Sequence, residues 1–481
     1  MLSTIGAIDL AVIAGYLILC VVAGIKLGGR PGDPASYFKT DGTVPWWAAS
    51  FSIVATETSL LTVISIPVVA YLGSLVFLQL VAGYVIGRIL VAFLILPSYF
   101  SGSIATPYEW FQDRFGGRFR SLSSVVFLIT RLLADGVRLF AAAIPLKLIT
   151  GLEYPIAIAL IAILTLSYTY FGGLRSVIWI DVLQLIVYTA GAGFIIWYIT
   201  TTPDILPFSE ISEVGKTAFL TMPESVSDVF FTPYNLIGAM LGGIFLTMAS
   251  HGTDHLIVQR LLACNNLKLA KRALITSGFF VFIQFLLFLV AGLFVYSFYQ
   301  GATPEQLGVE VNDEILIRFV VQELPAGAKG LFIAGLFAAA MSTLSSSLSA
   351  LSSSTFFDLF PKLAQRPDAM RISRMMMIVW TLVFILFASM FTSTENPIVE
   401  LGLGIAGFTY GALLGAFLNG IYTKIESSDA VAGLFICVAA MTVIIFFTPL
   451  AWPWYTLTGL IIFSVTAHTS SFIRGFVNLK S

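Results

Sequence analysis

Thirteen apolar stretches, each about the length of a membrane span, constrain this chain more than any other feature. A helix needs about 20 apolar residues to cross a hydrocarbon core about 30 Å thick. The stretches lie at residues 6–28, 46–70, 74–98, 120–149, 154–171, 175–199, 235–258, 273–299, 328–357, 373–393, 397–422, 430–448 and 453–473. Charged residues make up only 11% of the chain, against roughly 25% in soluble proteins. We therefore predict an all-α integral membrane protein whose excess apolar surface faces lipid.

The distribution of basic residues predicts the orientation of the chain. Most of the 25 Lys and Arg residues fall in one alternate set of loops. The longest loop of the other set, residues 200–234, holds Lys216 against five acidic residues. Because loops rich in Lys and Arg stay in the cytoplasm, the N-terminus is expected outside and the C-terminus in the cytoplasm. The compact loops favour a multi-pass protein of a bacterial plasma (inner) membrane.

The number of spans predicts an internal repeat within a single transmembrane domain, 1–481. Residues 46–199 and 235–422 each hold five spans, so the second set enters the bilayer from the opposite face. Inverted repeats of this kind place a binding site near the middle of the membrane. The remaining spans are one extra N-terminal helix, residues 6–28, and two C-terminal helices, residues 430–473.

The second span is unusually polar for a membrane helix. It carries Glu57 near its middle, seven Ser or Thr residues between Ser50 and Ser65, and Pro67 near its end. A charge at the bilayer centre costs about 2.5–3.5 kcal/mol on insertion scales, so Glu57 is expected to have a binding partner or a functional role. We favour a broken helix whose free carbonyls bind a cation. The alternative is a buried helix whose hydroxyls bond back to its own carbonyls.

Charged residues of the fourth span share one helix face. Arg131, Asp135 and Arg138 are spaced i, i+4 and i+7, which favours an internal network that joins helices. The alternative is that Arg138, or Arg88 of the third span, binds a substrate carboxylate through its guanidinium fork.

Two further spans carry groups suited to a cation. Asp181 lies about two turns into the sixth span and has no Lys or Arg at i±3 or i±4. A buried carboxylate without a partner is either protonated or holds a cation, and we favour the cation. In the ninth span a stripe spaced i, i+3, i+4 and i+7 has Ser345 beside it. The stripe is Ala339, Ser342, Thr343 and Ser346. Close packing of small residues is the alternative explanation for this stripe.

The end of the seventh span is expected to hold an inner gate formed by Asp254 and Arg260. His251 and His255 are spaced i, i+4 but lack a third ligand, so the only metal expected is sodium. A net charge of −1 does not suggest a nucleic-acid partner. An intramembrane enzyme needs a catalytic dyad, and the serine-rich ninth span has no well-placed His or Lys. A channel needs a filter or a pore-lining repeat, and neither is evident.

Five segments together resemble the sodium/solute symporter family, which includes sodium-coupled glucose, proline, monocarboxylate, vitamin and sialic acid carriers. They are ATPYEWFQDRFGG (105–117), GGLRSVIWIDVLQ (172–184), GTDHLIVQRLLA (252–263), AAAMSTLSSSLSALSSS (338–354) and GFTYGALLGAFLNG (407–420). Ile180 departs from the threonine common in the family. The resemblance implies two inverted five-helix repeats, alternating access and sodium-coupled uptake of a sugar, carboxylate or amino acid.

The resemblance also implies the ligands of two sodium ions. The first site falls on main-chain oxygens of Ala55, Thr58 and Ala339 and on the hydroxyls of Ser342 and Thr343. The second falls on Asp181, Ser342, Ser345 and Ser346. For the substrate, the candidates are Glu57, Gln79, Arg138 and Thr409. The other partner is the lipid bilayer, and a monomer is expected to function. The alternatives are an intramembrane enzyme and a sodium-independent carrier or sensor on the same fold.

Overall fold

The computed structural model describes residues 5–29, 31–40, 44–101, 104–309, 311–391 and 406–478. Across these ranges the protein is helical and no β-strand occurs. In chain order the α-helices are α1 (Ala7–Gly28), α2 (Pro34–Lys39), α3 (Trp46–Glu57), α4 (Leu60–Leu72), α5 (Leu78–Leu94), α6 (Leu96–Tyr99), α7 (Pro107–Phe115), α8 (Gly117–Thr150), α9 (Tyr154–Thr200), α10 (Phe208–Glu213), α11 (Val226–Phe231), α12 (Leu236–Gly252), α13 (His255–Leu262), α14 (Leu267–Phe298), α15 (Glu314–Glu323), α16 (Ala328–Ser354), α17 (Ala369–Ala388), α18 (Tyr410–Tyr422), α19 (Ser427–Phe447) and α20 (Tyr455–Asn478).

Length and hydropathy identify the helices that could cross a membrane. Within the described part of the chain, nine helices qualify, or ten if the bent pair α3 and α4 counts as one span. The 47-residue α9 covers both the fifth and the sixth predicted spans. The eleventh predicted span begins at 397, and its first residues lie outside the described ranges. The all-helical membrane fold is thus confirmed, while the number of thirteen stays a prediction.

A glycine allows α9 to change direction. Gly173 has φ 57° and ψ −151°, a backbone conformation that only glycine adopts without strain. A Cβ at this position would lie 2.3 Å from the main-chain oxygen of Tyr37. The close approach of α2 therefore also requires glycine at this position. Gly173 joins the fifth and sixth predicted spans within one helix, without a loop between them.

The second predicted span is broken, as its sequence indicates. Helices α3 and α4 meet at an angle of 69°, and Thr58 and Ser59 between them are not helical. The hydroxyls of Thr56 and Thr58 donate to the carbonyls of Ser52 (2.7 Å) and Val54 (2.8 Å). Both predicted behaviours of this span, the break and the bonding of hydroxyls to its own carbonyls, therefore occur together.

Helix α16 lies in the centre of the bundle. All its residues from Phe332 to Ser354 are buried, and it packs against α1, α3, α4, α8, α9, α13 and α17. Its many Gly, Ala and Ser residues allow neighbouring helices to approach its backbone. A stripe of hydroxyls is thus enclosed by protein.

Short helices cover one end of the bundle, which we name the basic end. It contains α2, α7 and α13 and the turn after α16. Gln259 Nε2 donates to the Phe38 carbonyl at 2.7 Å, which joins α13 to α2. Thr106 Oγ1 donates to Asp358 Oδ1 at 2.6 Å, which joins the start of α7 to the end of α16. These contacts close the end of the bundle to which the sequence assigns most Lys and Arg residues.

Candidate functional site

A cavity of about 1050 Å³, including its opening to solvent, lies beside the break between α3 and α4. Its walls come from α3, α4, α5, α8, α12 and α14 and from the starts of α13 and α18. The polar groups that line it include Glu57, Thr130, Arg138, Ser250, His251 and Tyr410. The cavity therefore combines apolar walls with a few polar groups, as small-molecule sites do.

Glu57 reaches the cavity from the end of α3. Its carboxylate forms an ion pair with Arg88, and His251 Nε2 lies 3.6 Å from the same oxygen. Arg88 Nη1 donates to Ser277 Oγ at 2.7 Å. The side chain of Glu57 is 19% exposed and that of Arg88 is 0% exposed. The anion therefore faces the cavity, and the alternative role of Arg88 as a carboxylate ligand is not supported.

The predicted charge network on α8 is present. Asp135 Oδ1 lies 2.8 Å from Arg138 Nη1 and 3.6 Å from Arg131 Nη1, and Ser347 of α16 donates to the other carboxylate oxygen. The Arg138 side chain is 21% exposed, whereas that of Asp135 is fully buried. Arg138 therefore presents a cation to the cavity while its partner carboxylate stays hidden.

The two other predicted substrate residues differ in their positions. Gln79 is not part of the cavity lining. Its amide nitrogen donates to the Tyr234 carbonyl at 3.0 Å, and its oxygen accepts from the Thr221 amide at 3.2 Å. Thr409 Oγ1 lies 2.9 Å from Thr130 Oγ1, which lines the cavity. Gln79 thus fastens α5 to the segment before α12, and Thr409 stands behind the cavity wall.

The residues of the first predicted sodium site lie on adjoining elements. Ala55 and Thr58 flank the end of α3, and α16 packs against both α3 and α4. The last carbonyls of a helix have no partner within it, so the break leaves oxygens available to a ligand. Thr343 Oγ1 donates to the Ala339 carbonyl at 3.2 Å. All five residues of this site, Ser342 included, are buried.

A small second cavity of about 230 Å³ adjoins this region. Ser59 and Arg138 line both cavities, and Thr343 lines the smaller one. The two cavities therefore share two lining residues, and the smaller cavity reaches the hydroxyl stripe of α16 at Thr343.

Asp181, the centre of the second predicted sodium site, has a cationic partner. Arg260 Nη2 lies 3.0 Å from Asp181 Oδ2, so the inference of an unpaired carboxylate is wrong. The partner comes from α13, 79 residues along the chain, where a search within one helix could not find it. Asp181 also accepts hydrogen bonds from Ser342 (2.6 Å) and Ser52 (2.5 Å).

Two serines of the predicted second site, Ser345 and Ser346, form hydrogen bonds within α16 itself. Ser345 Oγ and Ser346 Oγ donate to the Ser342 carbonyl at 3.0 and 2.8 Å. Ser346 also accepts from Arg260 and lies 3.2 Å from Thr56 Oγ1. The site therefore contains carboxylate, hydroxyl and carbonyl oxygens, which are the ligand types that hard cations prefer.

The two predicted gate residues, Asp254 and Arg260, do not form an ion pair with each other but pair with different residues. Asp254 accepts from Arg131 Nε at 2.9 Å and from the Tyr410 hydroxyl at 2.7 Å. It also caps α13 by accepting from the Leu256 amide at 2.9 Å. Arg260, near the other end of α13, binds Asp181 instead. The single inner cluster that we expected is therefore two clusters, one at each end of a two-turn helix.

The two histidines have separate partners. His251 Nδ1 lies 2.8 Å from Ser250 Oγ, and His255 Nε2 lies 3.1 Å from Ser353 Oγ. Within the described ranges, no group of three or more His, Cys, Asp or Glu residues could hold a metal ion.

Sequence reasoning missed three contributors to these clusters. Ser52 and Thr56 contact Asp181 from α3, and Tyr410 contacts Asp254 from α18. The spacing of Ser52 and Thr56, i and i+4 in a polar span, was the available signal. Tyr410 carries no comparable signal, because an aromatic residue in an apolar span is ordinarily part of the core.

Comparison with known proteins identifies the family. The model for the sodium:solute symporter family matches residues 37–437. The chain belongs to the sodium:solute symporter family. The resemblance drawn from its five segments is therefore confirmed.

The most similar proteins include two bacterial symporters. The chain is 30% identical over 449 residues to the sodium/sialic acid symporter SiaT of Proteus mirabilis, covering 92% of this chain and 90% of that relative. It is 26% identical over 477 residues to the sodium/sialic acid symporter NanT of Aliivibrio fischeri, covering 98% and 94%. A solved substrate-bound outward-open state of a Na⁺-coupled sialic acid symporter, described as revealing a novel Na⁺ site, matches with a TM-score of 0.86 and 27% identity. That match covers 97% of this chain and 98% of that one.

Family membership determines the kind of activity. The protein is a sodium-coupled transporter of a small solute in a membrane, and it is not an enzyme. The candidate sites for this activity are therefore the main cavity and the hydroxyl stripe of α16 beside it.

Proposed function

We propose that this protein is a symporter that uses the sodium gradient to import a small carboxylate-bearing solute, with sialic acid the first compound to test. The observation that carries the proposal is that Ser59 and Arg138 line both the main cavity and the smaller cavity at Thr343. A solute that binds Arg138 would lie next to the first sodium site. Ion and solute could then stabilise the same conformation, which symport requires.

The charges at the cavity surface favour a carboxylate with hydrogen-bond donors. Arg138 presents its guanidinium while Asp135 is hidden, and Glu57 presents its carboxylate while Arg88 is hidden. A guanidinium fork suits a carboxylate, and Glu57 would accept from a hydroxyl, amide or ammonium group. A carboxylated sugar offers both kinds of group. The related symporters named for sialic acid carry such a compound.

We propose two sodium sites with the ligands named above. The first comprises the main-chain oxygens of Ala55, Thr58 and Ala339 and the hydroxyls of Ser342 and Thr343. The second comprises Asp181, Ser342, Ser345 and Ser346. A membrane potential of 100 mV contributes about 2.3 kcal/mol per net charge moved. One sodium ion with one anionic solute moves no net charge, so the second ion supplies the electrical driving force. Ser342 belongs to both sites, which would couple their occupancy.

The proposed arrangement in the membrane has thirteen spans in a single domain. One helix precedes two inverted repeats, residues 46–199 and 235–422, and two helices, residues 430–473, follow. The basic end faces the cytoplasm, the N-terminus lies outside, and a monomer in the plasma membrane is the working unit. Transport then requires the cavity to open alternately to each side.

The cluster of Arg131, Asp254 and Tyr410 is proposed as the inner gate. Arg131 and Tyr410 line the cavity, and both bind Asp254 at the start of α13. These contacts join α8, α13 and α18, so breaking them would open a route toward the basic end. Asp254 keeps its predicted role, with partners other than Arg260.

The proposal is tested by the thermal stability of the purified protein with candidate solutes in sodium and in choline buffer. A ligand that binds only the folded state raises the apparent melting temperature by mass action. Sialic acid, its methyl ester and a neutral hexose form a matched series. We expect stabilisation by the acid, only in sodium, and none by the ester. Stabilisation by the ester equal to that by the acid would refute the carboxylate assignment, and equal stabilisation in choline would refute coupling.

Uptake into proteoliposomes supplies the second readout. Sialic acid should accumulate only when an inward sodium gradient is imposed, and a potential negative inside should increase the rate because net charge moves. Failure of every carboxylate solute, together with sodium-dependent binding of a neutral one, would replace the proposed substrate class while leaving symport in place.

A further inference from the structure

Arg260 is completely buried and its guanidinium is bonded on several sides. Its Nε donates to Ser52 Oγ at 2.7 Å and its Nη1 donates to the Leu256 carbonyl at 2.6 Å. Its Nη2 lies 3.0 Å from Asp181 Oδ2 and also donates to Ser346 Oγ. Protein oxygens therefore replace water around this charge.

One nitrogen of Arg260 contacts two of the residues proposed to bind the second sodium ion. Nη2 contacts both the Asp181 carboxylate and the Ser346 hydroxyl, and these are two of the four ligands of the proposed second sodium site. Two cations cannot occupy the same space between these oxygens. A sodium ion added beside an undisturbed Arg260 would also leave the buried cluster with an excess positive charge, which is costly inside a membrane.

We propose that Arg260 is a tethered cation that competes with sodium for Asp181 and Ser346. The second sodium then binds only when the guanidinium withdraws, and Arg260 returns to neutralise Asp181 when the ion leaves. This inference rests on the proposed sodium-coupled function. It assigns Arg260 the role of a positioning residue that sets the affinity of the second site for sodium and favours release of the ion.

The position of Arg260 connects this exchange to the solute cavity. Arg260 and Asp254 lie on the same element, since Asp254 caps α13 and Arg260 lies near its other end. Non-helical residues separate α13 from α12 and from α14, so the withdrawal that we propose is a shift of α13 as a unit. A shift that withdraws Arg260 from Asp181 therefore also displaces Asp254, which binds Arg131 and Tyr410 in the cavity wall. Sodium occupancy would thereby act on the proposed inner gate.

The competing explanation is a permanent structural ion pair. In that case Arg260 would stabilise the fold equally with and without sodium, and its loss would leave sodium affinity unchanged or lower. Competition predicts the opposite change in affinity, because removal of the tethered cation frees two ligands. The two explanations therefore differ in the sign of one measurable quantity.

The experiment is a sodium titration of thermal stability for the purified protein without solute, at constant ionic strength with choline. We expect Arg260→Gln to be less stable than wild type in choline. Its half-maximal stabilisation should require about tenfold less sodium, equivalent to about 1.4 kcal/mol of binding free energy. The double variant Asp181→Asn with Arg260→Gln should lose this gain. An unchanged or higher half-maximal sodium concentration in Arg260→Gln would overturn the proposal.

A matched control separates this effect from the general loss of a buried pair. Arg120 forms ion pairs with Glu109 and Asp358 at the basic end, away from the proposed sodium ligands. Arg120→Gln should lower stability without changing the half-maximal sodium concentration. If Arg260→Gln does not yield folded protein, Arg260→Lys serves, because an ammonium lacks the fork that reaches Ser52 and Asp181 together. A sodium titration of that variant identical to wild type would also overturn the proposal.

The wild-type titration separates a failure of the proposed sodium sites from a failure of the proposed competition by Arg260. No sodium-dependent stabilisation of wild type would contradict the proposed sodium sites themselves. Sodium-dependent wild type together with unchanged sodium dependence in the Arg260 variants would contradict only the tethered cation.

Discussion

Asp9 of the first helix caps the central helix α16 at Gly330. Asp9 Oδ1 accepts hydrogen bonds from the amides of Gly330 at 3.0 Å and Gly327 at 2.7 Å, and Asp9 is 1% exposed. A carboxylate at a helix N-terminus satisfies free amides and complements the helix dipole. The helix that precedes the proposed repeats is therefore fastened to the helix that carries most of the proposed sodium ligands.

Replacement of this cap should destabilise the protein. Asp9→Ala is expected to cost about 1–2 kcal/mol, since a lost N-cap leaves amides without an acceptor. Asp9→Asn, which retains an acceptor oxygen, should cost less. The measurement is the apparent melting temperature of the purified variants in choline buffer. Equal melting temperatures for Asp9→Ala and wild type would show that the contact adds nothing to stability.

Loss of a hydroxyl from α16 should weaken sodium binding. Ser342→Ala and Thr343→Ala are each expected to raise the sodium concentration for half-maximal uptake about 5- to 30-fold, as for a lost contact of 1–2 kcal/mol. Ser352→Ala is the matched control, because Ser352 is buried on the same helix and its hydroxyl has no hydrogen-bond partner among the described residues. The first sodium site is misplaced if Ser342→Ala and Thr343→Ala behave like the control.

Local patterns predicted several features of the site correctly. The hydroxyl-rich second span indicated its own break, because residues such as Thr58 offer the backbone alternatives to helical bonds. The spacing of Arg131, Asp135 and Arg138 predicted their network, since a single helix determines which of its side chains share a face. Both inferences depend only on residues close together in sequence.

Contacts between distant segments could not be predicted in this way. The partner of Asp181 is Arg260, on a short helix whose direction no periodicity in the sequence determines. Gln79 lies in a predicted membrane span, yet it binds the main chain of Thr221 and Tyr234. Such pairings depend on how helices are arranged around α16. A single sequence gives the composition of each helix face but not its neighbour.

Loss of the Asp181 charge should reduce the number of ions carried with each solute. Wild type would carry two sodium ions with one anionic solute, a net charge of one, whereas Asp181→Asn, with the second site removed, would carry one sodium ion per solute, so the net charge moved is expected to fall from one to zero. Because Asp181→Asn leaves Arg260 buried without its anion, the double variant with Arg260→Gln should restore protein yield. The measurement is the dependence of uptake into proteoliposomes on membrane potential, which should be present in wild type and absent in Asp181→Asn. An unchanged ratio of charge to solute in both variants would exclude a coupled second site at Asp181.

Arg138 should determine affinity for the carboxylate of the solute. Arg138→Gln is expected to weaken binding of an acidic solute by about 1.5–3 kcal/mol, or about 10- to 150-fold, because it removes a charged hydrogen-bond donor. Titration calorimetry in saturating sodium measures this change. Lys147→Gln, on the same helix and 36% exposed, is the control and should bind normally. If Arg138→Gln lowers protein yield but leaves affinity intact, the role of Arg138 is structural.

The hydroxyl of Tyr410 should hold the inner gate closed. It donates to Asp254 at 2.7 Å and accepts from Arg131 at 2.6 Å. Tyr410→Phe removes both hydrogen bonds while keeping the ring, and should weaken the closed state by about 0.5–1.5 kcal/mol. The gate would then be open more often, so a cysteine introduced by Leu256→Cys in the cavity wall should react about 2- to 10-fold faster with an impermeant thiol reagent applied at the basic end. The native cysteines are buried and provide the background rate.

The control for this experiment is Tyr422→Phe, at the far end of α18, which should leave the rate unchanged. A rate in Tyr410→Phe equal to that in Tyr422→Phe would place the closing contact elsewhere, and a slower rate would mean that the hydroxyl favours the open state.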